Sequence, residues 1–214
     1  DSVEQAHAAY LSASAKFLEA RAAFARGFAE RINADLKALG MSGTRFSVGQ
    51  IDPSALEQLG LDGDDISPAR LLHGEFLIRT NVGQKMLPLT KIASGGELSR
   101  IMLAIKVQQR KLQDATLIFD EIDAGISGQT AIMIASRLKS LALHAQAIVI
   151  THLHQVAAQA DCHLKVSKAV AGHDTIATIQ PVAGQDRVME LARMMGGENP
   201  GPKVIAHAME LMKI

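Results

Sequence analysis

Two adjacent carboxylates, Asp120 and Glu121, directly follow an apolar run at residues 117–119. We predict a buried strand over 116–120, whose C-terminal end lies at the sheet edge where α/β proteins bind ligands. One carboxylate there could hold Mg²⁺ directly or through water, and the other could orient or deprotonate an attacking water. Taken alone, an apolar strand followed by Asp-Glu is more often an ordinary strand end.

A second candidate is the stretch Ser94-Gly95-Gly96-Glu97. The S-x-x-E spacing is that of a capping box, so an ordinary helix start is the simplest interpretation. It leaves the glycines unexplained, because each costs roughly 1 kcal/mol against Ala in a helix. Glycine lets a bulky anion approach the backbone N–H groups at the positive end of a helix. We therefore predict a helix N-terminus that contacts phosphate.

The third candidate is His152, which follows a second predicted buried strand over 147–151. A histidine at a strand C-terminus can hydrogen-bond a phosphate, although most such residues are ordinary surface or capping groups. His152 is a candidate functional residue only because the two preceding candidates accompany it.

These residues need a scaffold of alternating helices and strands. Short apolar strands separated by helices are typical of a parallel sheet covered on both faces, so we predict an α/β fold of this kind. Over residues 44–90 we expect a small β-rich section with an acidic loop at 60–65. The predicted helices are 97–113, 127–143, 185–195 and 202–213, and the further strands are 46–48, 75–80, 163–167 and 175–179.

Residues 1–39 contain one glycine and no proline, with a heptad seam over 3–27 and an ordinary core-facing helix stripe after it. A lone helix with this stripe is unstable in water, so its partner helix must come from another segment or another chain. The alternative is a long amphipathic helix that packs on its own domain. We expect a coiled-coil arm over 1–40 and a globular lobe over 41–214. The seam residues are Val3, Ala6, Tyr10, Ala13, Phe17, Ala20, Phe24 and Gly27.

The composition limits the class of protein. With 48% hydrophobic residues in 214, the chain can bury a core, which excludes a disordered or collagenous protein. Lys and Arg number 22, as do Asp and Glu, so no net field attracts a polyanion, and any DNA contact must be local. The lone Cys162 fits a reducing cytoplasm. Apolar runs are too short to span a membrane, and the start at Asp1 without Met suggests part of a longer protein.

The order of these motifs resembles the C-terminal lobe of an ABC-class ATPase head: signature motif, Walker B strand, D-loop and switch histidine. Within that class the chain is similar to the RecN family of bacterial DNA double-strand-break repair proteins, which are relatives of the SMC proteins. His154 departs from the family pattern, which has Pro at this position. The matching stretches are 91–100, 118–128, 151–157 and 190–197.

The resemblance implies an ATPase in which two heads sandwich ATP. Asp120 would serve Mg²⁺, Glu121 would polarise the attacking water, and His152 would sense the γ-phosphate. Residues 123–128 would form a loop that crosses the dimer interface. Nucleotide contacts would come from Ser94, Gly95, Gly96, Glu97, Asp123 and Gly125.

A phosphate-binding loop is missing, since no G-x-x-x-x-G-K-[ST] motif occurs in the sequence. We therefore expect half of a head, which needs an N-terminal Walker A lobe of the same protein and binds ATP poorly alone. The resemblance further implies a homodimer of heads, DNA contact through the assembled protein, no membrane partner, and a location in the bacterial cytoplasm at the nucleoid.

Other interpretations stay open. A transporter nucleotide-binding subunit shares the chemistry, but usually has Gln at the position of Glu97 and lacks a coiled-coil arm. The chain could also be an interaction module that binds no nucleotide. Zinc could be held by residues of suitable type, although their spacing lacks the usual pairing. The candidate zinc ligands are His152, His154, Cys162 and His163.

A basic helix face could contact DNA directly. Its residues are Lys106, Arg110 and Lys111.

Overall fold

A computed structural model describes residues 2–49, 74–91, 94–109, 115–171 and 174–212. The predicted acidic loop at 60–65 lies outside the described residues, as do Arg110, Lys111 and the end of the helix predicted over 97–113. Contacts within the chain define two compact units, Asp1–Ala93 and Ser94–Ile214. The boundary at residue 40, which separates the arm from the lobe, stays a prediction.

The first unit begins with the predicted long helix, α1 (Ser2–Ala38). Gly40 ends it with a φ of 78°, a left-handed conformation that glycine adopts without penalty. The Met41 N–H then bonds to the carbonyl of Leu36 at 2.9 Å, which is the hydrogen bond of a Schellman ending. Gly40 therefore gives α1 a glycine C-terminal stop.

Burial along α1 is uneven. Ile32 and Leu36, near its C-terminal end, are fully buried. Of the heptad seam, Val3 is 82% exposed, Phe17 47% and Phe24 67%. This exposed apolar stripe agrees with a helix that awaits a partner, and the coiled coil itself stays a prediction.

A small antiparallel sheet follows α1 in the first unit, with strand order β1-β2-β3. The Asn33 side chain joins α1 to β1, since it accepts the Phe46 N–H at 2.8 Å and donates to the Phe46 carbonyl at 2.9 Å. Phe46 also packs against the Phe28 and Phe76 rings. The strands are β1 (Arg45–Gly49), β2 (Glu75–Arg79) and β3 (Leu87–Pro88), which a 3₁₀ turn follows at Leu89–Lys91.

The second unit contains the predicted alternation of helices and strands, so the α/β class is confirmed. Strands β4 and β5 pair in parallel, with Phe119 opposite Val149, and β6 and β7 form an antiparallel hairpin. Among the described strands, parallel pairing is confined to β4 and β5. The elements are α2 (Gly95–Val107), β4 (Thr116–Phe119), α3 (Gly128–Ala142), β5 (Gln146–Val149), α4 (His154–Ala158), β6 (His163–Ala171), β7 (Asp174–Val182), α5 (Gly184–Gly196) and α6 (Pro202–Leu211).

The prediction that β4 and β5 are buried on both faces is wrong for the described part of the chain. Phe119 is 5% exposed, but Ile118 is 68% exposed and Ile148 44%. An apolar strand is buried only where a second layer covers it, and one face of this pair lacks that layer among the described residues. This leaves an apolar sheet face open to a further element.

The helices at the end of the chain form a core of their own. Leu191 and Ala192 in α5 pack with Ala208 in α6 and Ala157 in α4. The buried carboxylate of Glu190 pairs with Lys165 of β6 at 2.8 Å, which ties this core to the hairpin, and with Arg193 of α5 at 2.7 Å. Hydrogen bonds from the Arg193 guanidinium hold the pKa of Glu190 down at about 2 against the opposing effect of burial. The Nη2 of Arg187 bonds to the α4 carbonyls of Ala157 and Ala158, each at 3.1 Å.

Within the ranges given above, every helix is too short or too polar to cross a bilayer.

Candidate functional site

Ser94 begins α2 as its N-cap, with extended φ and ψ of −97° and 120°. Its Oγ accepts the Glu97 N–H at 3.5 Å, as the capping spacing predicts. The N–H groups of Gly95 and Gly96 lie in the first turn, where a helix offers no internal acceptor. Exposed Ser94 and Gly95 therefore leave this helix end accessible to an anion.

Glycine is required at positions 95 and 96 for a second reason, which the sequence did not indicate. The loop after β4 approaches the start of α2 closely. A Cβ on Gly96 would lie 2.8 Å from the Cβ of Ala124 and 3.0 Å from the carbonyl oxygen of Glu121. A Cβ on Gly95 would lie 2.6 Å from Oε2 of Glu121. Glycine here lets the loop with the catalytic candidates lie directly on the helix start.

The different neighbours of the two glycines lead to a test. Gly96→Ala should lower the free energy of unfolding by about 1–3 kcal/mol, because its Cβ meets another Cβ and a backbone oxygen. Gly95→Ala should cost less than about 1 kcal/mol, since only the end of the flexible Glu121 side chain must move. Urea unfolding of both variants measures the difference. Equal losses of stability would show that the loop does not pack on Gly96 in this way.

Asp120 and Glu121 follow β4 and are both exposed, as a site for a soluble ligand requires. Glu121 has a φ of 55° and is the one non-glycine residue with positive φ in the described ranges. Such a conformation is uncommon and persists where neighbouring bonds enforce it. The Glu121 N–H donates to Oδ1 of Asp120 at 3.0 Å, and Ser99 Oγ donates to the Asp120 carbonyl at 2.7 Å.

Arg100, on α2, holds the next part of the loop. Its Nη1 donates to the carbonyl oxygens of Ala124 at 2.9 Å and Ile122 at 3.4 Å. Burial lowers the pKa of Arg100, and nearby Glu97 partly offsets the effect. The local sequence pattern assigns Arg100 no role. A signal was present, since a charged residue at a position that faces the core needs buried acceptors.

The loop turns at Gly125, with a φ of 70°, and meets α3 at Gly128, with a φ of 56°. Both angles favour glycine, and nothing lies within 4 Å of a Cβ at either position. Gly125 therefore serves the backbone path in this chain. Its predicted nucleotide contact stays a prediction.

Asp123 joins this loop to the end of β5. It is 3% exposed, and its Oδ2 accepts the Thr151 hydroxyl and, at 3.0 Å, the His152 N–H. The His152 Nδ1 lies 3.2 Å from the same oxygen, while 72% of the His152 side chain is exposed. Parallel pairing of β4 with β5 brings both strand ends to one edge, as the sequence predicts.

The chemistry of this edge fits a magnesium nucleotide. Carboxylate oxygens of Asp120 and Glu121 are hard ligands suited to Mg²⁺, and the α2 N-terminus and His152 suit phosphate. In the described parts of the chain, no three His, Cys, Asp or Glu side chains are grouped to hold a metal. A Mg²⁺ here would thus need phosphate and water ligands, and the zinc alternative finds no support.

Comparison with known proteins identifies relatives of this sequence. The chain is 44% identical over 199 residues to the DNA repair protein RecN of Treponema pallidum, covering 90% of this chain and 33% of that protein. It is 39% identical over 207 residues to RecN of Mycobacterium bovis, covering 88% and 34%. The chain thus spans about a third of the length of these curated relatives. No family model matches it.

Solved structures of SMC heads are also similar. A head domain with coiled coil and joint from Pyrococcus yayanosii has a TM-score of 0.49 at 17% identity, covering 85% of this chain and 29% of that one. A head domain from Pyrococcus furiosus, bound to the C-terminal domain of ScpA, has a TM-score of 0.47 at 19% identity, covering 73% and 34%. The sequence matches to the RecN proteins confirm the resemblance that the motifs indicated.

Proposed function

We propose that this chain, which resembles the RecN DNA repair proteins over about nine tenths of its length, forms the C-terminal lobe of an ATPase head acting in DNA double-strand-break repair. The observation that carries the proposal is the meeting of three motifs at one edge of the second unit. The α2 N-terminus touches the Glu121 loop, and Asp123 of that loop touches His152. A helix N-terminus, two carboxylates and a histidine together suit phosphoryl transfer to water.

Each group has a role in this scheme. Asp120 holds Mg²⁺ with the help of phosphate and water ligands, and Glu121 polarises the attacking water. Bound Mg²⁺ supplies charge neutralisation on the phosphates. His152 contacts the γ-phosphate. The α2 N-terminus contacts the ATP of an opposite head through Ser94, Gly95, Gly96 and Glu97.

The open apolar face of β4 and β5 supports a head made of two lobes. Leu98, Ile118 and Ile150 are 37%, 68% and 55% exposed, and a cleft of about 300 Å³ lies beside Leu98 and Ile118. Removing these apolar side chains from water would lower the free energy of the assembled head. We assign the covering layer to a Walker A lobe of the same protein, which also supplies the phosphate loop that this sequence lacks.

The proposal includes partners and location. Two heads form a homodimer around ATP, α1 is the returning arm of an antiparallel coiled coil, and DNA is contacted by the assembled protein in the cytoplasm at the nucleoid. The exposed seam at Phe17 and Phe24 supports the coiled coil. An interaction module that binds no nucleotide is the main alternative.

A reconstitution experiment tests the proposal. The 214-residue chain alone should show no ATP hydrolysis above background, and co-expression with the N-terminal lobe of the parent protein should restore turnover. The measurement is phosphate release with Mg²⁺, with EDTA as the control for metal dependence. Turnover by the chain alone would refute the half-head, and none in the reconstituted head would favour the interaction module.

A further inference from the structure

We propose that Asp123 is a positioning residue that fixes the protonation pattern of His152, so that Nδ1 carries a proton and Nε2 is presented to the phosphate. The inference rests on the proposed function for its phosphate, but the contact between Asp123 and His152 belongs to this chain alone. It gives Asp123 a different task from the nucleotide contact that the family resemblance implied.

The geometry around Asp123 carries the inference. One oxygen, Oδ2, receives the Thr151 hydroxyl and the His152 backbone N–H, and it lies 3.2 Å from Nδ1 of the His152 ring. The Thr151 Oγ1 in turn accepts the Leu153 N–H at 3.0 Å. These bonds fix the backbone on both sides of His152 relative to the carboxylate. The ring therefore cannot turn its Nδ1 away without losing its contact with a carboxylate that is 3% exposed.

The proton on Nδ1 follows from the types of atom involved. An ionised carboxylate only accepts hydrogen bonds, and an unprotonated ring nitrogen also only accepts. Two acceptors 3.2 Å apart repel each other, so the contact is favourable only when Nδ1 carries hydrogen. Neutral His152 then has a bare Nε2. A buried carboxylate that selects a histidine tautomer in this way is a recurrent device of catalytic sites.

This pattern has a consequence for phosphate binding. A phosphate oxygen accepts hydrogen bonds, so Nε2 must also carry a proton to donate to it. When Nε2 also carries a proton, the ring keeps its Nδ1–H on Asp123 and turns its Nε2–H towards the phosphate, so the same contact orients the ring for phosphate binding. Its exposed side chain leaves room for the phosphate.

Histidine ¹⁵N NMR on the 214-residue chain tests the tautomer without any activity measurement. The His152 signal is assigned by its loss in His152→Gln, and spectra are recorded at alkaline pH, where the ring is neutral. We expect a protonated Nδ1 and a bare Nε2. The opposite tautomer in the unmodified chain would overturn the proposal, and this outcome depends on no substitution that could unfold the protein.

A pair of variants tests the cause. Asp123→Ala should shift His152 towards the Nε2–H tautomer that free histidine prefers. Thr151→Val removes a donor to the same carboxylate but keeps its charge, so the Nδ1–H tautomer should persist. An unchanged tautomer in Asp123→Ala would overturn the proposal. If circular dichroism shows that Asp123→Ala is unfolded, the tautomer measured by NMR in the unmodified chain decides whether the proposal holds.

Activity of the reconstituted head completes the test. Asp123→Asn should lower kcat on the order of tenfold or more, with little change in KM, because the amide keeps acceptors but lacks the charge. His152→Gln should have a similar effect, and the double variant should lose no more than the worse single one. Additive losses would overturn the proposed coupling. If the unsubstituted head is inactive, the proposed function fails, and the tautomer is still measured.

Discussion

Glu121→Gln in the reconstituted head should slow ATP hydrolysis by about 100-fold or more while two heads still pair around ATP. Gln is nearly isosteric with Glu and can still hydrogen-bond a water. It cannot accept the proton of that water or supply the negative charge that polarises it. The strained φ of 55° at Glu121 agrees with a residue whose placement serves function.

Asp120→Asn is the matched comparison, because it removes one charge from the neighbouring residue. This change should weaken binding of Mg²⁺–ATP itself, so that paired heads do not accumulate. Light scattering measures pairing, and single-turnover hydrolysis measures chemistry for both variants. Normal turnover in Glu121→Gln, or loss of pairing in both variants, would contradict this assignment. The acidic pair would then be a metal site, and His152 would become the candidate for activating water.

The second large effect is expected for Ser94→Arg, which places a bulky cation where the γ-phosphate of an opposite head would bind. ATP-dependent pairing should be lost, while ATP binding to each reconstituted head stays nearly unchanged. The reason is that Ser94 is exposed at the N-terminus of α2 and, in the proposed head, would contact only the nucleotide of the partner head.

Ser94→Ala is the control for this variant. It removes the cap bond to the Glu97 N–H, at a cost of about 0.5–1 kcal/mol in stability, but adds no charge or bulk. Pairing should therefore persist in Ser94→Ala. Pairing by light scattering and ATP affinity by titration are measured for both variants. If heads of Ser94→Arg still pair, Ser94 is a helix cap and nothing more.

Local features of this protein were predictable from the sequence. The long helix α1, its ending at Gly40, the cap at Ser94 and the alternation that places Asp120 and His152 at strand ends all follow from neighbouring residues. Capping, glycine stops and apolar periodicity act over a few residues, so a sequence displays them directly. The resemblance to RecN rests on equally local motifs, and the sequence matches confirm it.

Other features depended on which segments meet in space. Gly96 is needed because Ala124, 28 positions further along the chain, lies against it. Arg100 is needed because its guanidinium donates a hydrogen bond to the Ala124 carbonyl. The contact between Asp123 and His152 arises only when β4 and β5 pair. The exposure of Ile118 depends on which layer covers the sheet, and an apolar run does not indicate which segment supplies that layer. Such contacts join distant positions, so tertiary packing decides them while local patterns leave them open.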